Sequence, residues 1–137
     1  MLPSSSSWRD YYDNLQYRKA AELLQSVEIG DDVECLLILG TLYLYGAHTF
    51  ESEYDYVTFM RSDNSDAIRQ FWKSNERFAA EGVKLLERAS ELGCQHASES
   101  LLTYYSASPP DLPEEVRRAK AIYYYAQAAS QQSQKNR

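Results

Sequence analysis

The chain has 137 residues, 44% hydrophobic and 25% charged, with a formal net charge of −6. That length builds one domain, and the composition excludes wholesale disorder. Five glycines and four prolines are too few for the turns of a β-sandwich, and the acidic balance disfavours nucleic acid or an anionic membrane as a partner.

The first seven residues, Met1 to Ser7, include four serines and lack a basic start followed by an apolar run. They read as a disordered N-terminus and not as a secretory signal. No apolar run reaches the length of a membrane span. Cys35 and Cys94 have neither metal nor redox spacing, so they read as reduced thiols in a cytoplasmic setting.

Residues 8–130 read as a single helical-repeat domain of about five helices. The first is expected from Trp8 to Val27, opened by a Ser7/Asp10 capping box, with Tyr12, Leu15, Ala20, Leu23, Leu24 and Val27 on one face. Gly30 and two aspartates separate it from the second, Asp32 to Tyr45, which ends at Gly46. That second helix is apolar nearly all round and calls for cover on more than one side. Residues 47–75 form an insertion. Within it, residues 47–64 interleave Phe50, Tyr54, Tyr56 and Phe59 with Glu51, Glu53, Asp55 and Asp63; a lone strand is unstable, so an ordered loop is expected. The third helix begins near Ser65 and ends at Gly93, either continuous or broken at Ser74-Asn75. The fourth runs from Gln95 to Ser106 and is stopped by Pro109-Pro110. Asp111 and Glu114 pair as a second capping box, and the fifth helix runs to Ser130. The polar tail, 131–137, is expected to fray.

Two segments share a spacing: Cys35-x3-Leu39-x3-Tyr43 and Ala97-x3-Leu101-x3-Tyr105. Small residues recur equally in Gly82-x6-Ala89 and Ala121-x6-Ala128. Antiparallel helices approach closely only where side chains are small, and a neighbour's leucine or tyrosine fills the groove. The alternation of such helices, B-A-B-A-B, lets successive hairpins share one core. The stretches Leu39-Gly40-Thr41-Leu42-Tyr43-x2-Gly46 and Leu86 to Gly93-x3-Ala97 resemble the Sel-one-like repeat, a branch of the tetratricopeptide-type helical repeats. The resemblance covers roughly residues 20 to 130 and one and a half to two repeats. It implies an all-α fold, a short α-solenoid of stacked antiparallel helices, serving as a protein-binding scaffold or adaptor. Two departures stand out: the linker from Gly46 to Gly82 is about two dozen residues longer than that from Ser108 to Ala121, and Ser108 replaces the family's glycine.

Chemistry-bearing patterns are sparse. His48 and His96 lack metal-ligand spacing to cysteine or carboxylate, and there is no phosphate loop or nucleophile–base pairing. Glu114 and Glu115 read as helix-start residues. The expectation is therefore no enzyme, no cofactor and no metal. Tyr43, Trp72, Tyr105 and Tyr123 read as core. With Cys35, Leu39 and Tyr43 inward, the outward residues of the second helix are Glu34, Leu37, Thr41 and Leu44; those of the fourth are His96, Glu99 and Thr103. These, with Glu51, Glu53, Tyr54, Asp55, Tyr56 and Phe59 of the 47–66 loop, form the expected surface for a protein partner, one that the acidity suits to be basic. Two other functions fit: a small immunity protein that neutralises a toxin, and a self-assembling structural subunit.

Overall fold

The computed structural model describes residues 7–107 and 112–135. These form eight α-helices and one 3-10 turn, with no strand among the described residues. The all-α class is as expected, but the count exceeds five because two expected helices break and the insertion is itself helical.

Ser7 and Asp10 close the capping box, and α1 spans Trp8–Asp13. The chain then breaks, and α2 spans Tyr17–Ser26. The expected single helix over 8–27 is thus two. The cause is tertiary. Leu15 takes a left-handed φ of +61°, which frees its carbonyl to accept from the Glu53 N–H at 2.9 Å. Arg18, in the first turn of α2, gives its orphan N–H to the Phe50 carbonyl at 3.1 Å. The break is where the insertion is stitched on.

Asp32 caps α3 (Val33–Tyr45) by accepting from the Cys35 N–H, and Gly46 ends it at φ +71°. A 3-10 turn, Ala47–Thr49, follows. Ser52 then caps α4 (Glu53–Met60), so 47–64 is not the expected loop. Alternating aromatics suggested extended chain, but the Ser52 cap and the acids of the first turn favour a helix start. Asn64 caps α5 (Ser65–Ser74), and Asn75 divides it from α6 (Glu76–Glu91). Of the two arrangements open for the third helix, the broken one holds. The Asn75 side chain donates to the Tyr43 carbonyl at 3.0 Å, tying the break to the end of α3. Gly93, at φ +102°, turns the chain into α7 (Gln95–Ser106), and α8 spans Glu114–Lys135. The expected Asp111 cap and the end of the tail, 136–137, lie outside the described residues, as do residues 1–6. Gln131, expected to fray, is instead buried within α8.

Packing follows chain order: α2 on α3, α3 on α6, α6 on α7, α7 on α8. Two apolar clusters result. Ala21, Leu24, Cys35, Leu39, Leu42 and Ala47 join α2 to α3. Leu36, Leu44, Val83, Leu86, Ala89, Ala97, Leu101, Tyr105 and Tyr124 join α3, α6, α7 and α8. Contributing to both explains why α3 is apolar nearly all round. Of the aromatics expected in the core, Tyr105 is buried and Tyr43 half-buried, but Trp72 and Tyr123 are exposed; Tyr124 takes the interior position instead.

Candidate functional site

The expected partner surface is only partly open. Leu44 is 5% exposed, because its backbone lies against Gly82 of α6 and its side chain belongs to the core cluster, and so does not face outward. Leu37 is half-buried against the same core, and the half-buried Thr41 hydroxyl donates to the Leu37 carbonyl at 2.7 Å. Glu34 is exposed and paired in a two-pronged contact with Arg9, whose guanidinium holds its carboxyl below the usual range. In the insertion, Tyr56 and Phe59 turn inward, packing edge-on or tilted against Phe50 at 5.4 and 5.5 Å. Glu53 is half-buried next to Tyr17, whose phenol is pushed up to about 12 by burial and by that carboxylate. Glu51, Tyr54 and Asp55 remain exposed, Tyr54 by 77%. On α7, Glu99 accepts from the Gln95 amide at 2.8 Å, His96 lies 3.9 Å from it, and Thr103 is exposed. The open members of the set are thus spread over the start of α3, the segment around the start of α4, and α7, instead of forming one groove.

Four of the exposed large hydrophobic residues among those described, Val116, Ile122, Tyr123 and Tyr125, lie on α8. Its inner face is fixed by four attachments. Arg117 donates to the Tyr105 carbonyl at 3.3 Å. Tyr124 stacks on Tyr105 with ring centres 5.9 Å apart and donates its hydroxyl to Glu87 at 3.3 Å. Burial, and then Glu87, raises both phenols, Tyr105 to about 12. Ala128 is buried, and Gln131 closes a polar network: its carbonyl accepts from Ser98 at 2.7 Å, its amide donates to the Ser90 carbonyl at 2.9 Å, and the two serine hydroxyls lie 2.7 Å apart.

With that face held inward, the opposite one is left out. Val116, Ile122, Tyr123 and Tyr125 are exposed, Ile122 by 65% and Tyr125 by 67%. Beside them a shallow groove of about 490 Å³ runs between α6 and α8, lined by Glu87, Glu91, Val116, Lys120, Tyr123 and Tyr124 among others. None of these α8 residues was expected as a site. The signal was present nonetheless: Ile122-Tyr123-Tyr124-Tyr125 is a four-residue apolar run, and four consecutive helical positions span most of the circumference, so they cannot all be buried on one side.

The equal spacing of Gly82-x6-Ala89 and Ala121-x6-Ala128 lets the open face be compared with α6. Aligning Gly82 with Ala121 aligns Val83, Leu86 and Ser90 with Ile122, Tyr125 and Ala129. On α6 the first three are buried, and Ser90 bonds to Ser98 of α7. On α8 their counterparts are exposed. Positions that α6 buries against its neighbours, Leu86 against Gly40 of α3 and Ser90 against Ser98 of α7, thus recur on α8 without a helix seated on them among the described residues.

Elsewhere, no group of three or more His, Cys, Asp or Glu among the described residues could hold a metal ion, and both cysteines are free. None of the described helices is long and apolar enough to cross a membrane. No protein-family model, curated protein or solved structure matches the chain.

Proposed function

We propose that this chain is a non-catalytic protein-interaction module of the helical-repeat type, similar to the Sel-one-like repeats, whose recognition surface is the outer face of α8. On this reading α2/α3, α6/α7 and α8 are successive turns of a short α-solenoid, with a position on α8 that no helix fills among the described residues. The observation that carries it is the exposure of Ile122, Tyr125 and Ala129 at positions whose α6 counterparts are buried against a neighbouring helix. Exposed apolar residues clustered on one face of an otherwise ordinary surface mark an interaction site, and tyrosine covers area at small entropic cost. A helix is the complement this face suits, because its in-chain precedent is a helix–helix contact.

The test places a photo-crosslinking residue at position 125 of the full chain and exposes it in the native cell. One discrete protein adduct is expected, and the double substitution Ile122→Asp with Tyr125→Asp should abolish its recovery by affinity purification while leaving helicity unchanged. Adducts no more discrete than those from a crosslinker at Lys84 would remove α8 as the recognition surface.

A further inference from the structure

The outer face of α8 has a second regularity. Ala119, Ala126 and Ser133 recur every seven residues, and Ile122 and Ala129 fall between them at the same period. This is the seam of a helix pair, with small residues at one position and apolar ones at the other. Tyr125 and Tyr123 flank it, both exposed. The seam runs through the described length of α8, which at 22 residues is about 33 Å long.

Building on the proposal that this face is the recognition surface, we infer that its occupant is the α8 of a second copy of the chain, packed antiparallel about a two-fold axis passing near residue 124. Two features of the face select that occupant. The first is self-complementarity. With the axis there, Ile122 of each copy lies opposite Ala126 of the other and Ala119 opposite Ala129, while Tyr125 meets Tyr125 along one flank and Tyr123 meets Tyr123 along the other. The Ile122–Ala126 fit, large on small, is repeated on both sides of the axis, as an isologous contact requires. The second is the placement of charge. On this face the charged residues are confined to the first turns: Glu115, and Arg118, which pairs with Glu114 at 2.7 Å. The last turns carry Ser130 and Ser133, both exposed. An antiparallel copy sets Glu115 opposite Ser133 and places the two Arg118 at opposite ends of the pair, so no like charges meet. A parallel copy would set glutamate on glutamate.

One helix pair of this length gives an interface at the low end of specific ones, so the association is concentration-dependent instead of obligate. Sedimentation of the full chain from about 1 µM to about 1 mM, a range set by that small interface, should show the mass rise from 15.8 kDa toward twice that value. Ile122→Asp with Tyr125→Asp should hold it at 15.8 kDa throughout. Register is read with Cys35→Ala and Cys94→Ala as background. Ala119→Cys with Ala129→Cys should oxidise to a covalent dimer, whereas Ala119→Cys alone, far from its own copy in an antiparallel pair, should not. Cross-linking by Ala119→Cys alone overturns the antiparallel arrangement. A dimer indifferent to the Ile122 and Tyr125 changes overturns the α8 interface. A strict monomer overturns the second copy as occupant. In that last case a discrete adduct from position 125 would keep α8 as the recognition surface for another protein, and its absence would remove both readings together.

Discussion

The two helix pairs built on the repeat, α3 with α6 and α7 with α8, share a spacing but close in opposite ways. In the first pair the backbones nearly touch. A Cβ on Gly82 would stand 2.6 Å from the Gly40 carbonyl oxygen and 2.7 Å from the Leu44 nitrogen. In the second pair Ala121, at the equivalent position, already carries a Cβ. There the helices are held by the Tyr105–Tyr124 stack and by the Ser90–Ser98–Gln131 network. The difference teaches that a small-residue period fixes which faces meet, while the distance of approach is set by the few side chains that occupy the crossing. It also separates two kinds of vulnerability, steric in one pair and polar in the other.

The largest effect should come from filling the first crossing. Gly82→Val puts side-chain atoms where the α3 backbone lies, and backbone yields less readily than the end of a flexible side chain. We expect a loss of about 3 kcal/mol, at the upper end for overpacking, read as a drop in the urea midpoint. The reciprocal change sharpens the contrast: Ala121→Gly removes helix propensity and one half-buried methyl without any clash, and should cost about 1 kcal/mol. Equal losses at the two positions would break the distinction between the pairs.

A smaller effect is expected from the polar closure of the second pair. Ser98 is fully buried and links three helices: it donates to Gln131 on α8 and lies 2.7 Å from the Ser90 hydroxyl on α6. Ser98→Ala leaves the Gln131 carbonyl and the Ser90 hydroxyl without that partner in a dry site. The cost should be about 2 kcal/mol, within the range for stranding a buried polar group. Adding Gln131→Leu should restore part of it, since removing both partners spares the stranded acceptor. If the double variant is as unstable as the sum of the singles, the network is not what closes this pair.

The all-helical class, the Ser7 box, the Asp32 cap and the Gly46 stop were readable from the sequence, because each rests on composition or on neighbours within one helical turn. What escaped was decided between distant segments. Leu15 leaves the helix because its carbonyl has Glu53 to bind, 38 positions on by number. The burial of Gln131 depends on hydroxyls from α6 and α7. The phase of Ile122 to Tyr125 was ambiguous within the run, so Tyr123 was assigned to the core where Tyr124 belongs, and the open face of α8 went with it. Leu44 was misplaced for a related reason: an all-apolar helix offers no polar face to orient it, and its burial follows from the close approach of α6 at Gly82, which sequence periodicity does not reveal.

The first pair also holds a polar inclusion, and it is the incomplete counterpart of the second. His48 is buried just past the end of α3, between Tyr43 and Phe78, with ring centres 4.9 and 4.4 Å away. Its Nδ1 lies 3.3 Å from the Leu42 carbonyl oxygen, so Nδ1 carries the proton and donates. Its Nε2 and the Oδ1 of the buried Asn75 have no partner among the described residues. Burial pushes the His48 pKa down, against a smaller upward pull from the Leu42 carbonyl. The folded pKa therefore lies below that of the unfolded chain, about 6.5. Above that value both states are neutral and pH has no effect through this group. As pH falls below it, the unfolded chain binds a proton that the folded chain resists, and stability declines until the folded pKa is passed. Between pH 7 and pH 5, unfolding free energy should fall with a slope no steeper than about 1.4 kcal/mol per pH unit. The carboxylates held low by Arg9 and Arg88 begin to lose their contribution only as pH falls toward the ordinary carboxylate range, at the acid edge of this window, so its upper part reads the imidazole. His48→Gln keeps a donor for Leu42 and removes the titration, and should flatten the slope. A slope unchanged in that variant would mean that the first pair's inclusion tolerates charge, and that the two closures differ in sterics alone.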